Sequence, residues 1–401
     1  MFNTLQEERS RFVKETSQNS TYAPSNYRNN KISTQNDAYF IADKYQIHAS
    51  QLVSCIATPA KDTAILKNHI DHEFSRLIAA GNPNPILMGA IPFDTQQNSS
   101  LSFYTESTKS CLDDLFDSKP QEFNVHQVKS SVSEQDFKEL VEHALDTIEK
   151  TALSKVVLSR MLQLEIDSAP NVASLVKILV EKNPQAYTFA VPVSDTETIV
   201  GVSPELLLSK EGHRVKSNPL AGSLALTKNL KQDLKNKTIL KSSPKDQREH
   251  SLVVDKVVSH LAPYCSSLTV TETPEILETS TMLHLSTVLN GTLRHNAPDA
   301  LTLALNLHPT PAICGTPTEQ AKQFIQSKET YERGFYSGLI GWMDTQGNGE
   351  WLVTIRCGLL ESNHMSLYAG AGVVAGSCPD SEWIETQKKL ETMLNVFTLH
   401  E

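Results

Sequence analysis

The sequence has no CxxC pair, and its six cysteines (Cys55, Cys111, Cys265, Cys314, Cys357, Cys378) show no tight spacing with histidine. This excludes a zinc ribbon or a disulfide framework and predicts buried thiols in a reducing compartment. No apolar run reaches about 18 residues, and the N-terminal MFNTLQEERSRFVKETS lacks an apolar core behind basic residues. Neither membrane insertion nor export is therefore expected, and the cytoplasm is the expected location. Basic charge is also scarce. Lys and Arg number 36 against 46 Asp and Glu, a formal charge of -10, which argues against nucleic acid or an anionic membrane as a partner. An anionic substrate would need local cations or a metal. No repeat at a period of about 20 to 50 residues is visible, so a large mixed α/β domain is the plain expectation.

What remains is an ordinary globular composition: 401 residues, 39% hydrophobic and 20% charged, enough for a large domain with a substantial core. Residues 1–37 are expected to form a polar, flexible N-terminal segment. From about Thr16 to Asp37 they are rich in Asn, Ser, Thr and Gln, and so bury too little apolar surface to offset the entropy of ordering. Residues 38–130 mix short apolar stretches such as ILMGAIPFD with polar loops and read as a motif-free N-terminal part of the domain. Residues 131–397 carry the signals. An amphipathic helix (DFKELVEHALDTIEKTAL) precedes a strand (KVVLSRMLQLEI), a helix near Val172 to Glu181, and strands through YTFAVPVS, TIVGVSPELLLSK and HRVKSNPLAG. GLIGWMD, EWLVTIRCGLLE and MSLYAGAGVVAG, separated by the turns TQGNG and SNH, predict an antiparallel meander before a final helix. The fold class is a mixed α/β domain with antiparallel sheet and flanking helices.

Two helix starts carry paired acids. Ser377, Pro379 and Asp380 supply a capping hydroxyl, a first-turn proline and an acid at the positive end of the dipole. On that helix Glu382, Glu385 and Lys389 share one face, while Trp383, Leu390, Leu394 and Phe397 line another. Ser243, Pro244 and Asp246 repeat the device, with Asp246 and Glu249 three apart. If the two pairs face each other they could supply oxygen ligands for Mg²⁺, which takes one or two carboxylates with waters and substrate oxygens. Taken singly, each pair is more often a solvated helix start, since acids are common in first turns.

Candidate acid and base residues lie on strands. In SKVVLSR, alternation sets Lys155, Val157 and Ser159 on one face and Val156, Leu158 and Arg160 on the other. Burying Lys155 among β-branched residues would suit it to act as a base; at a strand edge it would be solvated. Glu205 in GVSPELLL follows a proline and precedes leucines. An apolar setting would raise its pKa and fit it for general acid work, whereas at an exposed strand start it would be ordinary. Arg356 in EWLVTIRCG is expected to share a strand face with Thr354 and Gly358, and its planar fork suits a substrate carboxylate or a structural ion pair. His284 stands among apolar residues in MLHLSTVLNG and by itself reads as a core histidine.

Read in order, SKVVLSR, GVSPELLL, NPLAGS, KDQREHSLVVD, LHLSTVLNG, LHPTPAICGTP, GFYSGLIGWMD, VTIRCG, AGAGVVAGS and EWIETQKKLE resemble the chorismate-utilising enzymes, related to anthranilate synthase component I, over about residues 134 to 397. The branch they resemble most is isochorismate synthase. The resemblance implies that Lys155 activates water for attack at C2 of chorismate and that Glu205 protonates the departing C4 hydroxyl. It implies Mg²⁺ carried by Glu249 and Glu385, with Glu382 and Asp246 as outer or alternate ligands. Arg356 and Tyr368 match positions around the pyruvyl group, and Lys389 and Gly222 positions near the ring carboxylate and metal. Ser223, His284, Ala312, Ile313 and Gly370 complete the implied substrate contacts.

Ala221 in NPLAGS stands where the aminodeoxychorismate synthases of the family carry a lysine, which implies water as the nucleophile. LHPTPAICGTP is similar to the isochorismate form and unlike the FPxGxxxGAPK form of the aminating relatives; Cys314 replaces another small residue there. The implied role is supply of isochorismate for siderophore synthesis, by a monomer without a glutaminase subunit. Salicylate synthases, menaquinone-pathway synthases and a non-catalytic scaffold relative are the alternatives.

Overall fold

The computed structural model describes residues 36–43, 45–110, 121–227 and 229–399. The N-terminal segment expected to be flexible, and Cys111, lie outside the described residues, apart from positions 36 and 37. Among the described residues, alternating apolar sequence builds an 18-stranded sheet and a separate three-stranded one.

The large sheet is an almost wholly antiparallel ribbon. One half runs, neighbour to neighbour, through Cys265–Val270, Leu289–Leu293, Arg214–Asn218, Leu206–Glu211, Gly349–Val353, Leu339–Met343, Ile86–Ile91, Ser100–Ser110 and Gln46–Ile56. The other continues through Ala38–Ile41, Tyr187–Pro192, Glu197–Ser203, Cys357–Glu361, His364–Val374, Lys155–Ile166 and Asn124–Ser130. The ribbon doubles back, because buried residues from both halves pack in one cluster: Met88, Tyr104, Ile340 and Leu352 of the first with Phe40, Met161, Phe189 and Cys357 of the second.

Helices cover the outer faces. Leu66, Ile70 and Phe74 of Thr63–Ala79, with Leu301, Leu303 and Leu307 of Ala300–Leu307, pack on the first half. Leu175 and Leu179 of Val172–Lys182, with Leu390 and Met393 of the last helix, Pro379–Leu394, pack on the second. Each such fully buried side chain contributes about 1.5–3 kcal/mol, and this burial fixes the surfaces on which the functional residues stand. Among the described residues no helix is long and apolar enough to cross a membrane.

Several local expectations change. The C-terminal meander is two separate hairpins: Leu339–Met343 pairs with Gly349–Val353, and Cys357–Glu361 with His364–Val374. Residues 354–356 divide them, and Arg356 has left-handed backbone with φ 48°, so strand alternation stops before it. The last helix is capped at Cys378 with no side-chain hydrogen bond; the Ser377 hydroxyl instead accepts from the Val374 N–H. Ser243 does cap Pro244–Leu261, accepting from the Asp246 N–H. Of the described cysteines Cys265, Cys314 and Cys357 are buried, but Cys55 and Cys378 are exposed.

Candidate active site

A cleft opens where the strands Lys155–Ile166 and His364–Val374, the helix Pro244–Leu261, the last helix and the three-stranded sheet meet. That small sheet pairs Leu220–Ala225 with Met282–Ser286, and the latter with Glu275–Glu278. Its first strand bulges between Ala221 and Ser223. There Gly222 adopts φ +74°, and a Cβ on it would come within 3.0 Å of the Asp246 Cβ. A glycine is what lets this strand lie against the acid-bearing helix.

The glycine-rich strand does the same for the central ion pair. Gly372 pairs in register with Val157, and a Cβ there would sit 2.5 Å from Glu249 Oε1 and 3.2 Å from Lys155 Cε. Any larger residue would push the Lys155–Glu249 pair apart. Strand alternation correctly turns Lys155, Val157 and Ser159 to one side. Lys155 Nζ reaches Glu249 Oε1 at 2.9 Å with its side chain fully buried. Arg160, on the opposite face, donates to Thr386 Oγ1 and stacks over Trp383, anchoring the last helix.

The acids on the two helices are largely removed from water. Glu382 is 1% exposed and Glu249 9%, while Asp246 and Glu385 are half-buried; the solvated alternative fails because both helices turn these faces inward. Lysines meet three of them: Lys155 with Glu249, Lys389 with Glu385 at 2.6 Å, and Lys245 with Glu382 at 3.0 Å. Lys389 also donates to the Gly370 carbonyl at 2.7 Å. Burial alone would raise Glu249, but the charge and hydrogen bond of Lys155 overturn this and hold it below the usual carboxylate range. Glu382 is pushed up to about 7 by burial and then by the charge of Glu385, in spite of Lys245. Asp246 is raised by burial and by Glu249 and Glu385.

The opposite chemistry governs Glu205. It stands in the break between the strands Glu197–Ser203 and Leu206–Glu211 that Pro204 creates, and it is 2% exposed. Burial raises its pKa to about 7, against a hydrogen bond from the Leu220 backbone and the more distant charges of Lys155, Lys389 and Arg356. Its Oε1 has no protein partner. Arg356 donates to His284 Nε2 at 2.9 Å and to Thr392 Oγ1 at 3.3 Å. His284 is held neutral by burial first and then by the Arg356 charge, so it serves as an acceptor that orients the guanidinium. It is at once a core histidine and a cleft residue.

Of the sequence-predicted residues, Glu205, Gly222, Ser223, Glu249, His284, Ala312, Ile313, Arg356, Tyr368, Gly370, Glu385 and Lys389 all line the cleft. Lys155, Asp246 and Glu382 stand one layer behind, against Glu249, Gly222 and Lys245 respectively. Sequence reasoning missed Tyr336, which stacks on Tyr368 at 5.1 Å, its neighbour Ser337, and Lys245. It also missed a buried support: Arg333 bonds the Ile313 and Val157 carbonyls and pairs with Glu329, which in turn accepts from the Ser159 N–H and hydroxyl. Glu329 and Arg333 stand four apart, a spacing shared by many solvated helix pairs, which gives no signal of their burial.

Hard oxygen donors that are buried and repel one another suit a divalent cation such as Mg²⁺. Among the described residues no three His, Cys, Asp or Glu side chains converge to hold an ion alone. Glu249 and Glu385 would therefore need water or substrate oxygens to complete the shell, which is the habit of Mg²⁺.

The chain matches the family model for chorismate binding enzymes over residues 90–398. It is 39% identical over 372 residues to isochorismate synthase DhbC of Bacillus subtilis, covering 90% of this chain and 93% of that protein. It is 40% identical over 333 residues to isochorismate synthase EntC of Escherichia coli K12, covering 82% and 85%. A crystal structure from Bacillus anthracis, assigned as the 2,3-dihydroxybenzoate-specific isochorismate synthase DhbC, superposes with a TM-score of 0.84 at 36% identity, over 90% of this chain and 96% of that one. With the family model matching residues 90–398 and these relatives covering 82% to 90% of it, the chain belongs to the chorismate-binding enzyme family.

Proposed function

We propose that this chain is an isochorismate synthase, which adds water at C2 of chorismate and releases the C4 hydroxyl as water. The observation that carries the reading is Glu205: a buried carboxyl whose pKa lies near 7 and whose Oε1 is unpartnered at the cleft. Such a group can hold a proton at neutral pH and give it to a departing hydroxyl. Lys155 stands just behind the cleft, paired with Glu249 in the space Gly372 leaves; to take the proton of the attacking water it must first release the ammonium proton that pairs it with Glu249 and act as the free amine. One water enters and one leaves, so the reaction is an isomerisation with no other co-reactant. Ala221, which lines the cleft, offers no amine to compete with water.

Arg356, with the aromatic wall of Tyr368, binds the carboxylate of the pyruvyl group. Glu249 and Glu385 would hold Mg²⁺, with Asp246 and Glu382 behind them; when bound, the ion would neutralise the ring carboxylate beside these acids. Lys389, Gly222 and Ser223 border that end of the cleft. The names of the relatives support the reaction, and the 2,3-dihydroxybenzoate specificity assigned to one of them supports a siderophore-type destination for the product. The protein acts in the cytoplasm as a monomer without a glutaminase.

Purified protein incubated with chorismate and Mg²⁺, without glutamine or ammonia, tests this by chromatography of the products. Isochorismate is the expected product. Salicylate and pyruvate as main products would assign the chain to the lyase branch, and no consumption of chorismate would leave a binding protein.

A further inference from the structure

Four non-glycine residues among those described have left-handed backbone: Gln51, Ser337, Arg356 and Ser362. Gln51 and Ser362 are exposed. Ser337 and Arg356 are 1% and 4% exposed, and both line the cleft. They also lie on adjoining segments, because the Ser337 N–H donates to the Thr354 carbonyl at 2.8 Å and the Thr354 N–H to Gly338 at 3.0 Å.

Ser337 occupies the third position of a turn closed by the Gly338 N–H donating to the Phe335 carbonyl at 3.0 Å. With positive φ only at that third position, this is the type II pattern, in which glycine or asparagine carries little strain. A serine there is strained, and strain of this kind gathers at ligand clamps. Its Oγ is buried and makes no well-formed hydrogen bond within the protein. The polar group it reaches is the neighbouring Tyr336 phenol, whose pKa burial raises and the Arg333 charge, then a side-chain hydrogen bond with Ser337, partly lower. A buried donor with no partner costs stability, so turn and hydroxyl together favour a ligand that completes the bond.

We infer that Ser337 is a substrate-contacting residue whose Oγ–H donates to the carboxylate bound by Arg356, making the two left-handed residues one carboxylate clamp. This rests on the proposed reading of the cleft as a chorismate site. The clamp selects substrates bearing a carboxylate on the side chain, and the strain at both residues fixes its width.

Ser337→Ala and Ser337→Gly test the inference together. Glycine relieves the turn and alanine keeps it strained, but both lack the hydroxyl. In both, chorismate KM, and the Kd measured by calorimetry, should rise about 10-fold to 100-fold, as for loss of a hydrogen bond to a charged group, with a smaller change in kcat. Melting temperature should be higher in Ser337→Gly than in Ser337→Ala. If wild type binds and turns over chorismate while both variants keep its KM and Kd, the inference fails and the functional reading stands. If KM rises only in Ser337→Ala, backbone strain and not the hydroxyl matters, and the inference fails again. If wild type neither binds nor converts chorismate, the functional reading itself fails.

Discussion

Glu205 and Glu249 are both buried glutamates on one cleft, yet their surroundings drive them in opposite directions. Glu205 sits at a strand break beside Pro204 and Leu220, takes one backbone hydrogen bond, and is raised to about 7. Glu249 lies against the Lys155 ammonium at 2.9 Å and is held below the ordinary range. Burial alone would raise both. The partner decides the charge, and the fold places the partner on one wall only. One wall therefore favours a held proton and the other an ionised carboxylate, the division of labour that the proposed reaction would use.

Removing the partner is the most drastic way to break this contrast. Lys155→Ala should lower kcat by about 10² to 10⁴, the range for lost acid–base assistance. It should also cost about 3–5 kcal/mol of stability, because Glu249 is left buried and unpaired. Steady-state kinetics and denaturant melts on the same preparation check both. A variant with near wild-type turnover and stability would remove the ion pair from the account.

Glu205→Gln should reduce turnover by a similar factor of about 10² to 10⁴ while chorismate still binds. Its stability should change in the opposite sense. The folded state holds the Glu205 proton up to about pH 7, the unfolded chain only to about 4.5. The stability this proton supports is complete below the unfolded value and is lost as pH rises through the folded one, a span of about 3 kcal/mol. The glutamine variant has no such loss, so its melting temperature relative to wild type should climb between pH 5 and pH 8. A constant difference across that window would contradict a raised Glu205. For the same reason, wild-type kcat/KM should fall as pH rises through about 7.

The acidic wall can be sharpened by metal titration. Glu249→Ala and Glu385→Ala should each shift the Mg²⁺ requirement upward and lower activity, and the double variant should be little worse than either, since groups serving one ion act as a unit. Simple additivity, or an Mg²⁺ dependence like wild type in both single variants, would separate these acids from the ion. The smallest effect belongs to Lys245→Met. Its side chain is 34% exposed, and the Glu382 carboxyl it leaves, already raised to about 7, can take up a proton instead of standing as a buried unpaired charge, so the loss of stability should be smaller than in Lys155→Ala, with the Glu382 carboxyl moving still higher.

How much of this was legible in the chain follows from the range of the interactions. Period-2 alternation set Lys155 and Arg160 on opposite faces correctly, and Ser243 and Pro244 marked a true helix start, because these depend on neighbours a few residues away. The left-handed turn at Arg356 was not legible, since it arises where one hairpin leaves one half of the sheet and the next joins the other half. Nor was the burial of Glu382: an acid in a first helical turn is ordinarily solvated, and only the packing of that helix across the cleft turns it inward. Strands from residues 38–130 carry no motif, yet they join the two halves of the ribbon. Tyr336, Ser337 and the Glu329–Arg333 support act through contacts to Val157 and Thr354, and no spacing rule relates such distant positions.

The opposed ionisation of the two glutamates is open to direct observation. Protein labelled with ¹³C at the glutamate side-chain carboxyl can be titrated by NMR from pH 4.5 to 8.5, with the Glu205→Gln and Glu249→Gln variants assigning the two resonances by their absence. The Glu205 signal should titrate with a midpoint near 7, while the Glu249 signal should stay nearer its ionised position than an ordinary glutamate's at the acid end of that range. A Glu205 carboxyl already ionised at pH 5.5, or two signals moving together, would contradict the account.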